Sequence, residues 1–183
     1  MGFSIEDGSG NGYQAKVNSR NMLTTIAVSQ SMDHYENENG NVYSMVATVT
    51  PDSTANCFCY IKNIGDVDIV IQRVSMHTNS DEVINTYIND VGSPVGGISY
   101  TAINRNAGST NLSDSIIYYG QDITGLSGGK HFDSFYVSAN NCTYNYRWQS
   151  GVIISKNRIF TLYAVNGNIE INFTMSFYHC TGN

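Results

Sequence analysis

The segment Asn168-Ile169-Glu170-Ile171-Asn172-Phe173-Thr174-Met175-Ser176-Phe177 alternates polar and apolar residues without a break. Side chains of an extended chain point to opposite faces with a period of two. The alternation therefore predicts a strand of roughly 30 Å with one dry and one wet face. Ile169, Ile171, Phe173, Met175 and Phe177 then need a second layer to cover them. Just upstream, Asn166-Gly167 accepts the positive φ of a type I′ turn, which predicts a hairpin with Arg158–Val165.

The same period recurs along most of the chain. Tyr43, Met45, Ala47 and Val49 share one parity, and Pro51-Asp52-Ser53 ends that strand. Ala55–Lys62 follows, with Cys57, Cys59 and Ile61 expected on one face and Phe58 and Tyr60 on the other. Asn63-Ile64-Gly65-Asp66 reads as a hairpin turn into Val67, Ile69 and Ile71. Further strands are predicted at His131–Val137, Thr143–Gln149, Gly151–Ser155 and Arg158–Val165, with a first one at Leu23–Val28. Val83–Ile88 fits either a short strand or a helical turn, and Ser115–Tyr119 an edge strand. Asp33–Asn41, Gly92–Gly97, Asn104–Ser109 and Gly125–Gly129 read as loops or connections. No stretch of about 11 residues carries a 3.6-residue period. Roughly eight to ten strands without helices imply an all-β fold, an antiparallel two-sheet β-sandwich of jelly-roll type. The Gly-rich residues 1–20 read as an extended N-terminal arm or docking segment, and residues 21–183 as the sandwich domain.

Composition narrows the function classes. Only 13% of residues are charged, and the net charge is −6, so the nine Lys and Arg form no phosphate-gathering run and nucleic acid is not an expected partner. There is no apolar run long enough to span a bilayer and no basic-then-apolar start, so neither a membrane span nor classical secretion is expected. Low charge also makes packing against identical copies electrostatically cheap, which favours a homo-oligomer. Cys57 and Cys59, two apart in a strand, should lie about 6–7 Å apart on one face, too poorly placed to bond each other. With Cys142 and Cys180 they read as reduced thiols.

Motifs for chemistry are absent or broken. Gly125-Leu126-Ser127-Gly128-Gly129-Lys130-His131 resembles a phosphate-binding loop but has Thr124 in place of the first glycine and His131 in place of Ser or Thr. His34, His77, His131 and His179 form no metal-binding spacing, and G-x-S-x-G does not occur. Asp7, Asp66, Asp68, Asp81 and Asp90 all adjoin turns, where Asp caps backbone amides. Asp7-Gly8-Ser9-Gly10-Asn11-Gly12 departs from the calcium-loop pattern. The expectation is a chain that is not an enzyme and has no cofactor and no metal. Aromatic residues are the remaining candidates: Tyr118, Tyr119, Tyr144, Tyr146 and Trp148 suit a ligand or protein contact. Tyr144, Tyr146 and Trp148 share a parity, however, and more simply line one sheet face.

The run from Asp7 to Leu23, Asp-Gly-Ser-Gly-Asn-Gly-Tyr-Gln-Ala-Lys-Val-Asn-Ser-Arg-Asn-Met-Leu, resembles a recurring opening of small virion structural proteins of tailed bacteriophages of marine and cyanobacterial hosts, D-G-[TS]-G-x-G-x-x-A-K-V-[DN]-x-x-N-[RM]-L. Ala27-Val28, Cys59–Asn63 with Asp66–Ile71, and Leu162–Val165 extend the likeness. Met22 stands where Arg often precedes the Leu. The resemblance implies a β-sandwich on the phage particle, assembled in the host cytoplasm, that binds the major capsid protein or another virion protein. Capsid decoration, or cement, is the first role implied, and a neck, tail or fibre-associated adaptor the second. Asp7, Tyr13, Lys16, Val17, Arg20 and Leu23 are the candidate neighbour contacts. A host-glycan-binding module, built on the aromatic residues above, is the reading from a different class.

Overall fold

A computed structural model describes residues 16–17, 23–24, 31–52, 56–139 and 144–180. The chain divides into two compact units, Met1–Ser31 and Met32–Asn183. In the first, β1 (Lys16–Val17) pairs antiparallel with β2 (Leu23–Thr24), Lys16 opposite Thr24 and Val17 opposite Leu23. The rest of the predicted arm, and of the strand expected at Leu23–Val28, lies outside the described residues.

The second unit is an antiparallel two-sheet β-sandwich. Its strands are β3 (Val42–Val49), β4 (Asn56–Asn63), β5 (Ile69–Thr78), β6 (Glu82–Ile88), β7 (Val91–Val95), β8 (Ile98–Tyr100), β9 (Ile103–Asn104), β10 (Ser115–Ser127), β11 (Lys130–Val137), β12 (Tyr144–Ile154), β13 (Ile159–Ala164) and β14 (Ile171–His179). One sheet has seven strands in the order β11-β6-β13-β4-β10-β7, with β8 also on β10, and the other has five in the order β12-β5-β14-β3-β9. Period-two alternation explains most of the core between them, with one bulge in β4 turning Phe58 inward as well. Tyr43, Met45, Phe173, Met175 and Phe177 from the five-stranded sheet meet Phe58, Ile61, Phe160 and Leu162 from the other, all buried. Phe58 and Phe173 touch edge to face across the gap, centroids 5.4 Å apart.

Both predicted hairpins are instead crossovers between sheets. β4 and β5 lie in different sheets, as do β13 and β14. Each connection is held by a buried polar side chain. Asn63 donates to Val67 O and Ile154 O, both at 2.8 Å, and accepts from Gly65 N at 2.9 Å. The Glu82 carboxylate accepts from Asn166 N at 2.9 Å and Gly167 N at 3.2 Å. Local turn chemistry was right about where the chain bends, but a bend signal does not say whether the next strand stays in its layer or crosses to the other.

Residues expected to be a loop hold a short helix, α1 (Met32–Glu38). At seven residues it is too short to show a sustained helical period, and its support is local and tertiary. His34 sits one turn from Glu38 at 3.2 Å, and Gly40 ends the helix with φ +72°. Carbonyls at its C-terminal end find side-chain donors at the end of β9 and in the loop after it: Asn106 donates to Asn37 O at 3.0 Å, Asn111 to Asn39 O at 3.1 Å and Asn104 to Gly40 O at 2.7 Å. A side chain at Gly40 would start 2.1 Å from the Ser109 hydroxyl, so this close dock requires glycine.

Several smaller expectations change in the same way. Gly92–Gly97 is mostly β7, β10 runs well past Tyr119 between β4 and β7–β8, and Thr143–Gln149 and Gly151–Ser155 merge into β12 around a bulge between Arg147 and Val152. Ile169 precedes β14 and is only partly buried.

Candidate functional site

Two edges of the sandwich gather chemistry-bearing residues. At the first, β11 and β12 end their respective sheets. Asp133 shares its parity with buried Phe135 and Val137, which aims a carboxylate inward. A bulge between His131 and Asp133 seats it opposite Thr86, whose hydroxyl donates to Asp133 O at 2.8 Å. From β12, Tyr146 OH donates to Asp133 Oδ2, and Trp148 Nε1 donates to the same oxygen at 3.0 Å. Ser134 N completes the carboxylate at 2.9 Å. Holding the phenol's proton against a carboxylate pushes the Tyr146 pKa up to about 12, with partial burial adding to the effect.

The rings around Asp133 form a continuous stack across the two sheets. Phe135 lies 4.8 Å from Tyr146 at 14° and 5.7 Å from Tyr144 at 9°, while Trp148 meets Tyr146 and Phe160 edge to face at 5.0 and 5.9 Å. Tyr144, Tyr146 and Trp148 are each half-buried and packed on the main core. They share one face, as their parity predicts. Offset and edge-to-face ring pairs contribute about 0.5–1.5 kcal/mol each beyond burial, so this edge closes the sandwich. Asp133 spends its acceptors on these donors and holds the rings in place.

At the opposite edge a groove of about 530 Å³ runs between the end of β3, the start of β8 and the bulge of β10. Thr48, Asp52, Ile98, Tyr119, Gln121 and Asp122 are among its lining residues. The groove exists because β10 breaks register between Tyr119 and Ile123, and because Gly97 lets β8 approach: a side chain on Gly120 would come within 2.9 Å of Gly97 Cα. β9 covers only Tyr43 and Ser44 of β3, so Val46 N is left to the Tyr100 hydroxyl at 3.2 Å. The groove offers two carboxylates, a phenol and an amide, suited to holding a small polar group.

The five aromatic candidates therefore do not converge. Tyr118 and Tyr119 point to opposite faces of β10: Tyr118 packs on Tyr60 at 6.1 Å on the outer side, and Tyr119 meets Tyr100 at 5.9 Å beside the groove. Tyr144, Tyr146 and Trp148 lie at the far edge of the sandwich. Of the proposed neighbour contacts, Asp7, Tyr13 and Arg20 lie outside the described residues, and Lys16, Val17 and Leu23 sit in the β1–β2 pair.

Cys57 and Cys59 also part company. The register of β4 shifts between them against both neighbours, which turns Phe58 and Cys59 into the main core and Cys57 to the outer face with Tyr60, Ile123 and Ile159. The bulge thus overturns the shared face expected from strict alternation. Burial raises both thiol pKa values, Cys57 further through the neighbouring Cys59, so each stays a protonated, unreactive thiol. Cys57, Cys59 and Cys180 are free, while Cys142 lies outside the described residues.

Asp90, read as a turn residue, is buried and accepts from Thr161 Oγ1 at 2.5 Å on the outer face of the seven-stranded sheet. Asp81, at the exposed side, accepts from Tyr136 OH and from Ala139 N at 3.0 Å, which lowers its pKa. The loop after Ser127 leads into a strand, so the phosphate-loop likeness has no helix behind it. Among the described residues no three His, Cys, Asp or Glu converge as metal ligands, and no helix is long and apolar enough to cross a membrane. Sequence reasoning missed Asp133, Asp52 and Asp122. Only Asp133 left a signal, an acid on the apolar parity of its strand.

No protein-family model matches the chain, and no curated protein matches it.

Proposed function

We propose that the protein is a non-enzymatic structural protein of a tailed-phage particle, a decoration or cement protein that binds the assembled head. The observation that carries this reading is the run Asp7–Leu23, with its resemblance to the opening of small virion proteins. The body supports it. Two sheets share one dry core, the buried carboxylates Glu36, Glu82 and Asp90 are engaged by the chain's own donors, and Asp133 is taken up by Tyr146 and Trp148. A rigid body of this kind works through contact area, which contributes about 25 cal/mol per Å² of apolar surface before the entropic costs of association. A neck, tail or fibre-associated adaptor would use the same body.

The direct test is co-sedimentation of the purified chain with phage heads that lack it. Full-length protein is expected to pellet with heads, and a deletion of residues 2–20 to lose most binding while keeping the β-sheet circular dichroism of the parent. Equal binding by the deletion would remove the arm from the proposal, and no binding by either form would remove the head.

A glycan-binding module is the second reading, favoured by the partial exposure of the neighbouring rings Tyr144, Tyr146 and Trp148 at one edge of the sandwich. It predicts quenching of the single tryptophan, Trp148, by host oligosaccharides. Absence of quenching across a panel of them would set it aside.

A further inference from the structure

The outer face of the five-stranded sheet carries a pair of positive charges with no ion-pair partner among the described residues. Arg147 on β12 stands directly opposite Arg73 on β5, so both side chains leave the same side of the sheet. Inward-facing Val74, Met76, Tyr144 and Tyr146 flank them in sequence, which fixes that side as the outer one. Arg147 is exposed and Arg73 half-buried. Their cross-strand neighbours are neutral: Ser176 beside Arg73, and Ser75 opposite Asn145 in the adjoining row. The ion pairs His34–Glu38 and Lys156–Asp66 both lie away from this face.

Two like charges directly opposite on neighbouring strands destabilise a sheet, and this chain, at −6, has more than enough carboxylates to neutralise them. We propose that this face is a docking surface for an acidic segment of another protein, whose carboxylates occupy the Arg73–Arg147 pair. Charge complementarity selects the occupant. A second copy laid on the same face about a two-fold axis would bring four guanidinium groups together. A carboxylate meets each guanidinium in a charge-assisted, bidentate geometry instead. Neither arginine belongs to the residue 7–23 segment, so this surface stands or falls apart from the particle assignment.

The test uses the full chain and a decapeptide of alternating glutamate and serine, followed by amide chemical shifts in nuclear magnetic resonance titrations. Shifts are expected at Arg73, Ser75, Asn145 and Arg147, weakening steeply with salt. The double variant Arg73→Gln/Arg147→Gln should bind about fivefold more weakly or less still, and the peptide with glutamine in place of glutamate should not bind. Shifts centred elsewhere, or unchanged in the double variant, overturn the proposal. So do equal shifts at equal concentration of inorganic phosphate, which would mark a generic anion spot. A second arm reads the repulsion itself: Arg73→Gln alone should raise Tm by about 1–2 °C. A fall in Tm would show that the pair is not in conflict, and would remove the reason for a partner.

Discussion

The two sheets share an inner face and differ on their outer ones. The seven-stranded sheet buries a patch of its outer side: Cys57, Tyr60, Ile123 and Ile159 form a second apolar cluster there, with Asp90 bonded to the buried Thr161 among them. The five-stranded sheet is closed only at one end, where Val42, Val70 and Tyr178 are buried. Over the rest it shows Val46, Thr48, Ser75, Thr174 and Arg147 in rows of short polar or exposed side chains. A strand buried on both faces reads as a continuous apolar run, as Cys57–Ile61 does, while a strand wet on one face keeps its alternation, as Val42–Val49 does. One sheet thus buries a patch on its outer side as well as its inner one, and the other leaves most of its outer face to solvent.

The largest expected effect tests whether the outer cluster is a true core. Tyr60 is 2% exposed on the outer face of β4. Tyr60→Ala should cost about 3–5 kcal/mol, as deletion of a buried aromatic ring does elsewhere, read as a lower urea midpoint at unchanged slope. A loss below about 1 kcal/mol would mean that the cluster contributes little, and the contrast between the sheets would collapse.

This contrast also explains what could be read in advance. Val42–Val49 keeps its alternation over most of its length, and the residues of shared parity, Tyr43, Met45, Ala47 and Val49, are all buried. Cys57–Ile61 was misread because a bulge at Phe58 adds one residue to the period, and the sequence there is apolar on both parities, so nothing local marks the slip. Asn63–Asp66 and Asn166-Gly167 announce bends but not which layer the next strand joins. That choice is made by distant partners, the Ile154 carbonyl for one and the Glu82 carboxylate for the other. The helix at Met32–Glu38 depends on Asn104, Asn106 and Asn111, about 70 residues away, and has no signature within its own seven residues. The aromatic edge was half legible: parity placed Tyr144, Tyr146 and Trp148 together, while Asp133, an acid on the apolar parity of its own strand, became their partner only through the folding of β11 beside β12.

A smaller effect sharpens how dry the inner face is where β14 ends. His179 is buried against Tyr43, ring centroids 5.3 Å apart, with Ser113 Oγ 3.0 Å from Nε2. Burial lowers its pKa below the ordinary 6.5, although Asp114 and Glu36 pull the other way. The unfolded chain therefore binds the proton more readily than the folded one. This contribution to stability is present above pH 6.5 and is lost as pH falls from there through the folded pKa. His179→Gln should flatten that part of the urea midpoint's pH profile. An identical slope in the variant would assign the dependence to other groups, and the end of the inner face would be wetter than its packing implies.

The smallest expected change bears most directly on the contact face. Thr174 lies mid-strand in β14, flanked by Ser75 and Val46 on its two neighbours, and is only partly buried. Thr174→Val keeps the β-branched shape and replaces a hydroxyl with a methyl group. In a dry interior that exchange is costly or helpful according to the partners lost, whereas on a wet sheet face water serves the hydroxyl and strand preference is nearly the same for both residues. The variant should therefore stay within about 0.5 kcal/mol of the parent in isolation. If the face is covered by a partner in the assembled state, the same exchange should change partner affinity while leaving the free protein untouched. A large loss in the free protein would show that the face is already occupied by its own chain, and the difference between the two sheets would be one of composition alone.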